Sequence, residues 1–263
     1  MSEHPVLSTE DHRGVVTVTL NRPEVNNAYN GELIAAVLSG LDAIERSTTA
    51  RVVVLKGNGR HFQAGADLAW INSIRLQSAA VNRAASQATA AVIDRLNRLP
   101  IPVVALVQGG CFGGGTGIVS ACDVVIAADN ALFSIAEVRW GLHAAIIIPH
   151  LNDAIGVRQV RRYALTGERF GADEARRIGL VHEVVPLADL DTRGAAMITQ
   201  LLENGPTAMS STKRHILEHA EGGLDAAALD RLIDSHAAGR QTAEAAEGLA
   251  SFAEKRSARW AKG

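Results

Sequence analysis

Apolar and polar residues follow two different rhythms along this chain. In the first half, short β-branched or apolar runs alternate with stretches of helical spacing. Residues 15–20, Val-Val-Thr-Val-Thr-Leu, read as a strand, ended by the turn Asn21-Arg22-Pro23-Glu24. Over residues 32–44 the apolar positions Leu33, Val37, Leu41 and Ile44 recur at helical spacing. Residues 51–56 predict a short buried strand, closed by Gly57-Asn58-Gly59. Residues 79–99 read as a long alanine-rich helix that Pro100 stops. Residues 102–107 and 123–128 predict two more strands. Strands that are apolar throughout and separated by helices imply an α/β sheet covered on both faces.

From about Gly156 onward helical periodicity takes over. One strand-like stretch, 181–185, interrupts it between Gly179 and Pro186. Residues 206–220, 226–238 and 243–255 all read as helices. The expected organisation is a core over 1–200 and a helical portion over 201–263. No internal repeat, low-complexity run or linker divides them.

The candidate chemistry begins at residues 109–117, Gly-Gly-Cys-Phe-Gly-Gly-Gly-Thr-Gly, between the strand-like run 101–108 and a helix-like run over 118–122. Glycines there strip the turn of side chains, so backbone N–H groups can approach a ligand and hold an anion. The turn is not a phosphate loop of the Gly-Lys-Ser/Thr type. Nor does it carry the spacing and acidic residue of a dinucleotide fingerprint. A second small, glycine-containing loop, residues 60–68, follows the strand over 51–56. Two such loops on neighbouring strands can each offer one N–H to a single oxygen, as an oxyanion hole does. A third segment, 133–141, sets Glu137 among apolar and aromatic residues. Desolvation there would raise its pKa and suit it to proton transfer. An ordinary ion pair with Arg139 is the other reading.

Composition narrows the field of functions. The chain has 263 residues, 47% of them hydrophobic, enough for a large core. Net charge is −2 and aromatic content 4%, so neither a basic stripe nor a base-stacking face points to nucleic acid. No run is long and apolar enough for a membrane span, and residues 1–7 lack a signal-like apolar core. A cytoplasmic location is expected. Cys111 and Cys122 read as reduced structural thiols. The nine histidines show no HExxH-type spacing, so no metal is expected.

The loop 61–68, the turn 109–123 and Glu137 together resemble the crotonase (enoyl-CoA hydratase/isomerase) superfamily. The resemblance runs over nearly the whole chain. It includes Asn21-Arg22-Pro23-Glu24 with Asn27-Ala28, Leu165-Thr166-Gly167 with residues 174–181, and residues 247–256. It implies a spiral of ββα units with a helical C-terminal trimerisation region, and a homotrimer or homohexamer. It implies an acyl-CoA substrate, with coenzyme A part of the substrate and no separate cofactor. By motif position, the N–H groups of Ala66 and Gly114 would hold the thioester oxygen. Ala28, Ala64, Asp67 and Leu68 would line the adenine and pantetheine path, and Arg22 would meet CoA phosphates. Phe252 and Lys255 would reach the CoA of a neighbouring subunit.

One position departs from the pattern. The two-glutamate hydratases of this family carry a second glutamate three residues after the middle glycine of the triplet. Here that residue is Gly117. Residues 113–117, 136–142 and 161–170 resemble bacterial methylglutaconyl-CoA or isohexenylglutaconyl-CoA hydratases, of leucine and acyclic-terpene breakdown, which share this glycine. The expectation is a hydratase in which Glu137 handles both water and proton. The alternatives are a single-glutamate isomerase and a non-catalytic binding member. RNA binding finds no support, since residues 31–46 contain no lysine. His143 is the candidate second polar group, Arg139 a candidate partner for a substrate carboxylate, and Trp70, Ile71 and Ile74 candidate walls of the acyl pocket.

Overall fold

The computed structural model describes residues 4–220 and 225–261, apart from the side chains of Ala226 and Phe252. The chain opens with β1 (Val6–Glu10) and β2 (Val15–Leu20), then α1 (Gly31–Arg46) and β3 (Val52–Gly57). Two helices follow, α2 (Leu68–Ile74) and α3 (Ala79–Arg98). Next come β4 (Val103–Val107), β5 (Gly110–Phe112), α4 (Gly114–Ser120), β6 (Val124–Ala128) and β7 (Leu132–Ser134). The second half holds α5 (Ile148–Thr166), β8 (Phe170–Gly171), α6 (Ala172–Ile178) and β9 (Glu183–Val185). It closes with α7 (Leu190–Leu202), α8 (Pro206–Glu218), α9 (Ala226–Gly239) and α10 (Ala243–Ala253).

A six-stranded sheet runs in the order β1-β2-β3-β4-β6-β9. Its pairs are parallel except β1 with β2. A second sheet runs β5-β7-β8. The chain repeatedly leaves a strand of the large sheet, makes a short extended segment, and enters a helix. β4, β5 and α4 form one such turn, and β6, β7 and α5 another. In earlier turns the second strand shrinks to a single bridge, Tyr29 with Ala66 or Gln63 with Cys111. This is the expected spiral of ββα units.

Alternation along the strands explains why they look apolar throughout. Val53, Leu55, Val103, Ala105, Val107 and Val125 face one core with α1, α3 and α4. Val52, Val54, Val104, Leu106 and Ile126 face a second core with Leu190, Ile198 and Leu202 of α7. Each fully buried Leu, Ile or Val contributes about 2 kcal/mol relative to exposure, so neither face tolerates polar residues.

Several boundaries differ from expectation. β1 was not anticipated, because four of its five residues are exposed and no alternation marks it. β5, β7 and β8 span three residues or fewer, too short to show a period. The helix expected over 118–122 starts at Gly114, so the last four residues of the glycine run are helical rather than loop. The last strand begins at Glu183, because Leu180 and Val181 are spent in a buried turn after α6.

Candidate active site

Two loops, after β3 and after β4, are stitched together along their backbones. Phe62 N–H donates to Gln108 O, Gln63 N–H to Gly110 O, and Phe112 N–H to Gln63 O, at 2.8, 3.1 and 2.9 Å. His61 reinforces the junction, its Nδ1 accepting from Gly110 N–H at 2.7 Å. Burial, with the nearby Arg60 charge, lowers the His61 pKa, which suits a neutral acceptor. Asn27 ties the first loop from behind. It is fully buried, and its amide donates to the carbonyls of Asn58, His61 and Phe62. Gln63 shapes the tip, its Oε1 accepting from Gly65 N–H and its Nε2 donating to Gly65 O, each at 3.0 Å.

These bonds leave two backbone donors over. Ala66 pairs with Tyr29 through its neighbours: Tyr29 N–H donates to Gly65 O and Asp67 N–H to Tyr29 O. Ala66's own N–H takes no part. Gly114 is the first residue of α4, where no intrahelical acceptor exists. Among the described residues, neither N–H meets a protein acceptor. Ala66 and Gly114 line the same cleft, of about 610 Å³. Two unpaired N–H groups on one cleft can stabilise an oxygen that gains negative charge.

Glu137 faces them. It opens a 3-10 turn, Glu137–Trp140, after β7, closed by Gly141 in the left-handed region. Its carboxylate lies against Gly113: a Cβ built there would stand 3.0 Å from Glu137 Oε1. Gly113 also has φ +51° and ψ −121°, a conformation that glycine alone adopts readily. Among the described residues Glu137 Oε2 is buried and has no hydrogen-bond partner. Burial pushes its pKa up, against a smaller lowering from its own backbone N–H. A carboxyl poised this way can take and return a proton near neutral pH. The alternative reading, an ion pair with Arg139, finds no such pair among the described residues; Arg139 Nε donates to Gly167 O at 2.8 Å.

The cleft also gathers Ala64, Leu68, Trp70, Ile71, Ile74 and His143. Arg22, Ala28 and Asp67 form an adjoining cluster. The Arg22 guanidinium donates to Ala28 O and pairs with Asp67 at 3.4 Å. Asp67 also caps α2 through Ala69 N–H and Trp70 N–H. Lys255 is exposed just beyond α10 and does not line the cleft. Phe252 lies on α10, its side chain outside the described residues.

Position 117 is closed rather than vacant. A Cβ there would meet Ile147 Cγ2 at 2.3 Å, Ile147 Cβ at 2.7 Å and Ile93 Cδ1 at 3.3 Å. Cys111 and Cys122 are buried free thiols, with pKa raised chiefly by burial. One grouping escaped the sequence reading. His215, Glu218 and His219, at i, i+3 and i+4 near the end of α8, bring ligand atoms within 4.8 Å of one another. None of the three lines the cleft. Tyr29 was also missed, although it lines the cleft beside Gly114. The available signal was a tyrosine next to the Asn27-Ala28 motif. Among the described residues, no helix is long and apolar enough to cross a membrane.

Known proteins resemble this chain over nearly its whole length. The enoyl-CoA hydratase/isomerase family model matches residues 10–263. The chain is 33% identical over 247 residues to a putative enoyl-CoA hydratase of Thermus thermophilus, covering 94% of this chain and 97% of that one. It is 35% identical over 223 residues to a mitochondrial Δ3,5-Δ2,4-dienoyl-CoA isomerase of Homo sapiens, covering 81% and 67%. The crystal structure of an enoyl-CoA hydratase from Shewanella pealeana superposes with a TM-score of 0.93 at 34% identity, covering 98% and 97%. The chain is thus an enzyme of the enoyl-CoA hydratase/isomerase (crotonase) family.

Proposed function

We propose that this enzyme is a hydratase-type lyase that adds water to an α,β-unsaturated acyl-CoA, with 3-methylglutaconyl-CoA or a related branched glutaconyl-CoA as substrate. The observation that carries the reading is the buried, unpartnered Oε2 of the Glu137 carboxylate beside a turn with a free N–H. The thioester oxygen sits between Ala66 N–H and Gly114 N–H. One such donor is worth about 3 kcal/mol of transition-state stabilisation. Glu137 takes a proton from water as the water oxygen bonds to the β-carbon. It then returns that proton to the α-carbon of the enolate. Arg75, Arg139 and Arg169 also line the cleft, and they favour an acyl chain that ends in a carboxylate. The test is steady-state turnover of 3-methylglutaconyl-CoA by the wild type and Glu137→Gln. A variant that retained full activity would remove Glu137 from the mechanism.

A second reading is an enoyl-CoA isomerase, which needs one carboxylate only. The packing of Ile147 onto Gly117 favours it, since no second acid can stand there. Conversion of a 3-enoyl-CoA to the conjugated 2-enoyl ester without hydration would select it.

The remaining assignments follow the family. Ala28, Ala64, Asp67 and Leu68 line the path of the CoA, and Arg22 approaches its phosphates. Residues 1–200 form the catalytic core of a cytoplasmic enzyme, and 201–263 assemble it into a homotrimer or homohexamer. Phe252 and Lys255 then reach a neighbour's CoA. No cofactor beyond the substrate's own CoA is needed. Light scattering tests the assembly, and a monomeric mass would refute the shared CoA site.

A further inference from the structure

A site with one glutamate still has to hold its water. A nucleophilic water points a lone pair at carbon and has two O–H bonds to place. Glu137 can accept one. The second polar group cannot stand at position 117, which Ile147 and Ile93 fill. His143 lies on an exposed part of the cleft wall, where bulk solvent competes for its hydrogen bonds.

Tyr29 is placed differently. Its backbone is bonded on both sides to the loop that carries Ala66, so the residue is held by the oxyanion loop itself. Its ring meets Trp70 edge to face, with centroids 5.9 Å apart. A Cβ built at Gly114 would stand 2.7 Å from Tyr29 Cε1 and 3.4 Å from its hydroxyl oxygen. Glu137 occupies the same place at Gly113. Two consecutive bare glycines therefore leave room for a carboxylate at one and a phenol at the other, on one cleft. The residue is half-buried and lines the cleft. Among the described residues its hydroxyl has no protein partner. Burial and the Glu137 charge push the phenol up to about 12, so it stays neutral through the working range.

We propose that Tyr29 is the second water-holding group of this active site, its hydroxyl oxygen accepting one O–H of the attacking water while Glu137 accepts the other. This rests on the hydratase reading above. As the C–O bond forms, the proton on the Glu137 side passes to the carboxylate. The Cα=Cβ electron pair moves onto the thioester oxygen under Ala66 and Gly114. The Glu137 acid then gives its proton to the α-carbon, and Tyr29 keeps its own proton throughout.

The test compares two rates in the wild type and Tyr29→Phe. One is hydration of crotonyl-CoA and 3-methylglutaconyl-CoA. The other is exchange of the α-hydrogens of butyryl-CoA in D2O, followed by mass spectrometry. Exchange needs the oxyanion donors and Glu137 but adds no water. Phenylalanine keeps the ring against Trp70 and Gly114, and the exchange rate reports directly that the site is assembled. Hydration should fall about 100-fold while exchange stays within a small factor of the wild type. Hydration at the wild-type rate would overturn the role of Tyr29 alone. An equal fall in both rates would assign Tyr29 to the oxyanion loop and overturn a role in holding water. A wild type that hydrates neither ester would overturn the hydratase reading, and this inference with it.

Discussion

Gly117 offers the sharpest test of how this site is built, because restoring the glutamate of the two-acid hydratases there should fail. The position is buried inside α4, and an added Cβ would stand 2.3 Å from Ile147 Cγ2 and 2.7 Å from Ile147 Cβ. Both atoms sit next to the Ile147 backbone, so no rotation of a flexible side-chain end relieves the contact. Overpacking of this kind costs about 1–3 kcal/mol. Exchanging glycine for alanine inside a helix returns about 0.5–1 kcal/mol. Contacts this short put the steric cost at its upper end, so Gly117→Ala should lose about 2 kcal/mol. Gly117→Glu adds the desolvation of a carboxylate, several kcal/mol more, against a typical stability of about 5–15 kcal/mol. It should unfold at much lower urea, or not accumulate, and should gain no hydration rate. Urea titration followed by tryptophan fluorescence reads these shifts. Ile147→Ala removes the closest clashing atom, so the double variant with Gly117→Ala should lose about 1 kcal/mol less than the two singles summed. A Gly117→Ala protein as stable as the wild type, or strictly additive singles, would refute the packing argument. A stable, faster Gly117→Glu enzyme would refute it more directly.

Burial holds Glu137 above its ordinary pKa, so folding favours the protonated acid. That contribution is complete below the ordinary glutamate range and is lost as pH rises through the folded value. Glu137→Gln, neutral at every pH, should therefore denature later than the wild type near neutral pH and lose that advantage in acid. An equal difference at both pH values would contradict the linkage. The same variant should lose about 100-fold or more in turnover. Cys111 and Cys122, buried with raised pKa, should react with a thiol reagent only on unfolding. Labelling of the native enzyme at the rate of free cysteine would count against this. Asp67→Ala removes the cap of α2 and the partner of Arg22, at a cost of about 1 kcal/mol. Asp67→Asn should recover most of that loss in a denaturation midpoint, since an amide oxygen can still cap. Equal losses in the two variants would show that the ion pair outweighs the cap.

The large sheet was legible because its strands are buried on both faces, and such strands carry an unbroken apolar signal. Residues 15–20 and 102–107 fall on β2 and β4 to within a residue. The small sheet was not, because three residues such as 132–134 hold no period and are fixed by their partners. Ala66 and Gly114 were reached only through motif positions, since a backbone N–H has no side chain to betray it, whereas Glu137 was singled out by its apolar and aromatic neighbours. Their burial and missing partners are tertiary facts. Tyr29 stayed hidden for the same reason. Its sequence neighbours Ala28 and Asn30 say nothing about Gly114, and only the bridge to Ala66 brings the ring there.

The absent side chains of the glycine turn explain what the turn collects. At Gly113 the missing Cβ leaves room for the Glu137 carboxylate, at Gly114 for Tyr29, at Gly115 for the Gln63 amide oxygen, and at Gly117 for Ile147. Four separate parts of the chain thus rest on a single helical turn. Gln63, placed at Gly115, sets the Gly65 loop that presents Ala66. Ile147, placed at Gly117, shuts out a second acid. On the proposed function, a side chain at each of these glycines would therefore disturb a different part: the Glu137 carboxylate, the Tyr29 phenol, the loop that carries Ala66 or the closed wall. Alanine at Gly113 should accordingly impair proton transfer. At Gly115, where a Cβ would come 2.5 Å from Gln63 Oε1, it should impair stabilisation of the enolate. Loss of the same step in both variants would show that the turn acts as one rigid anion cradle and not as four separate seats.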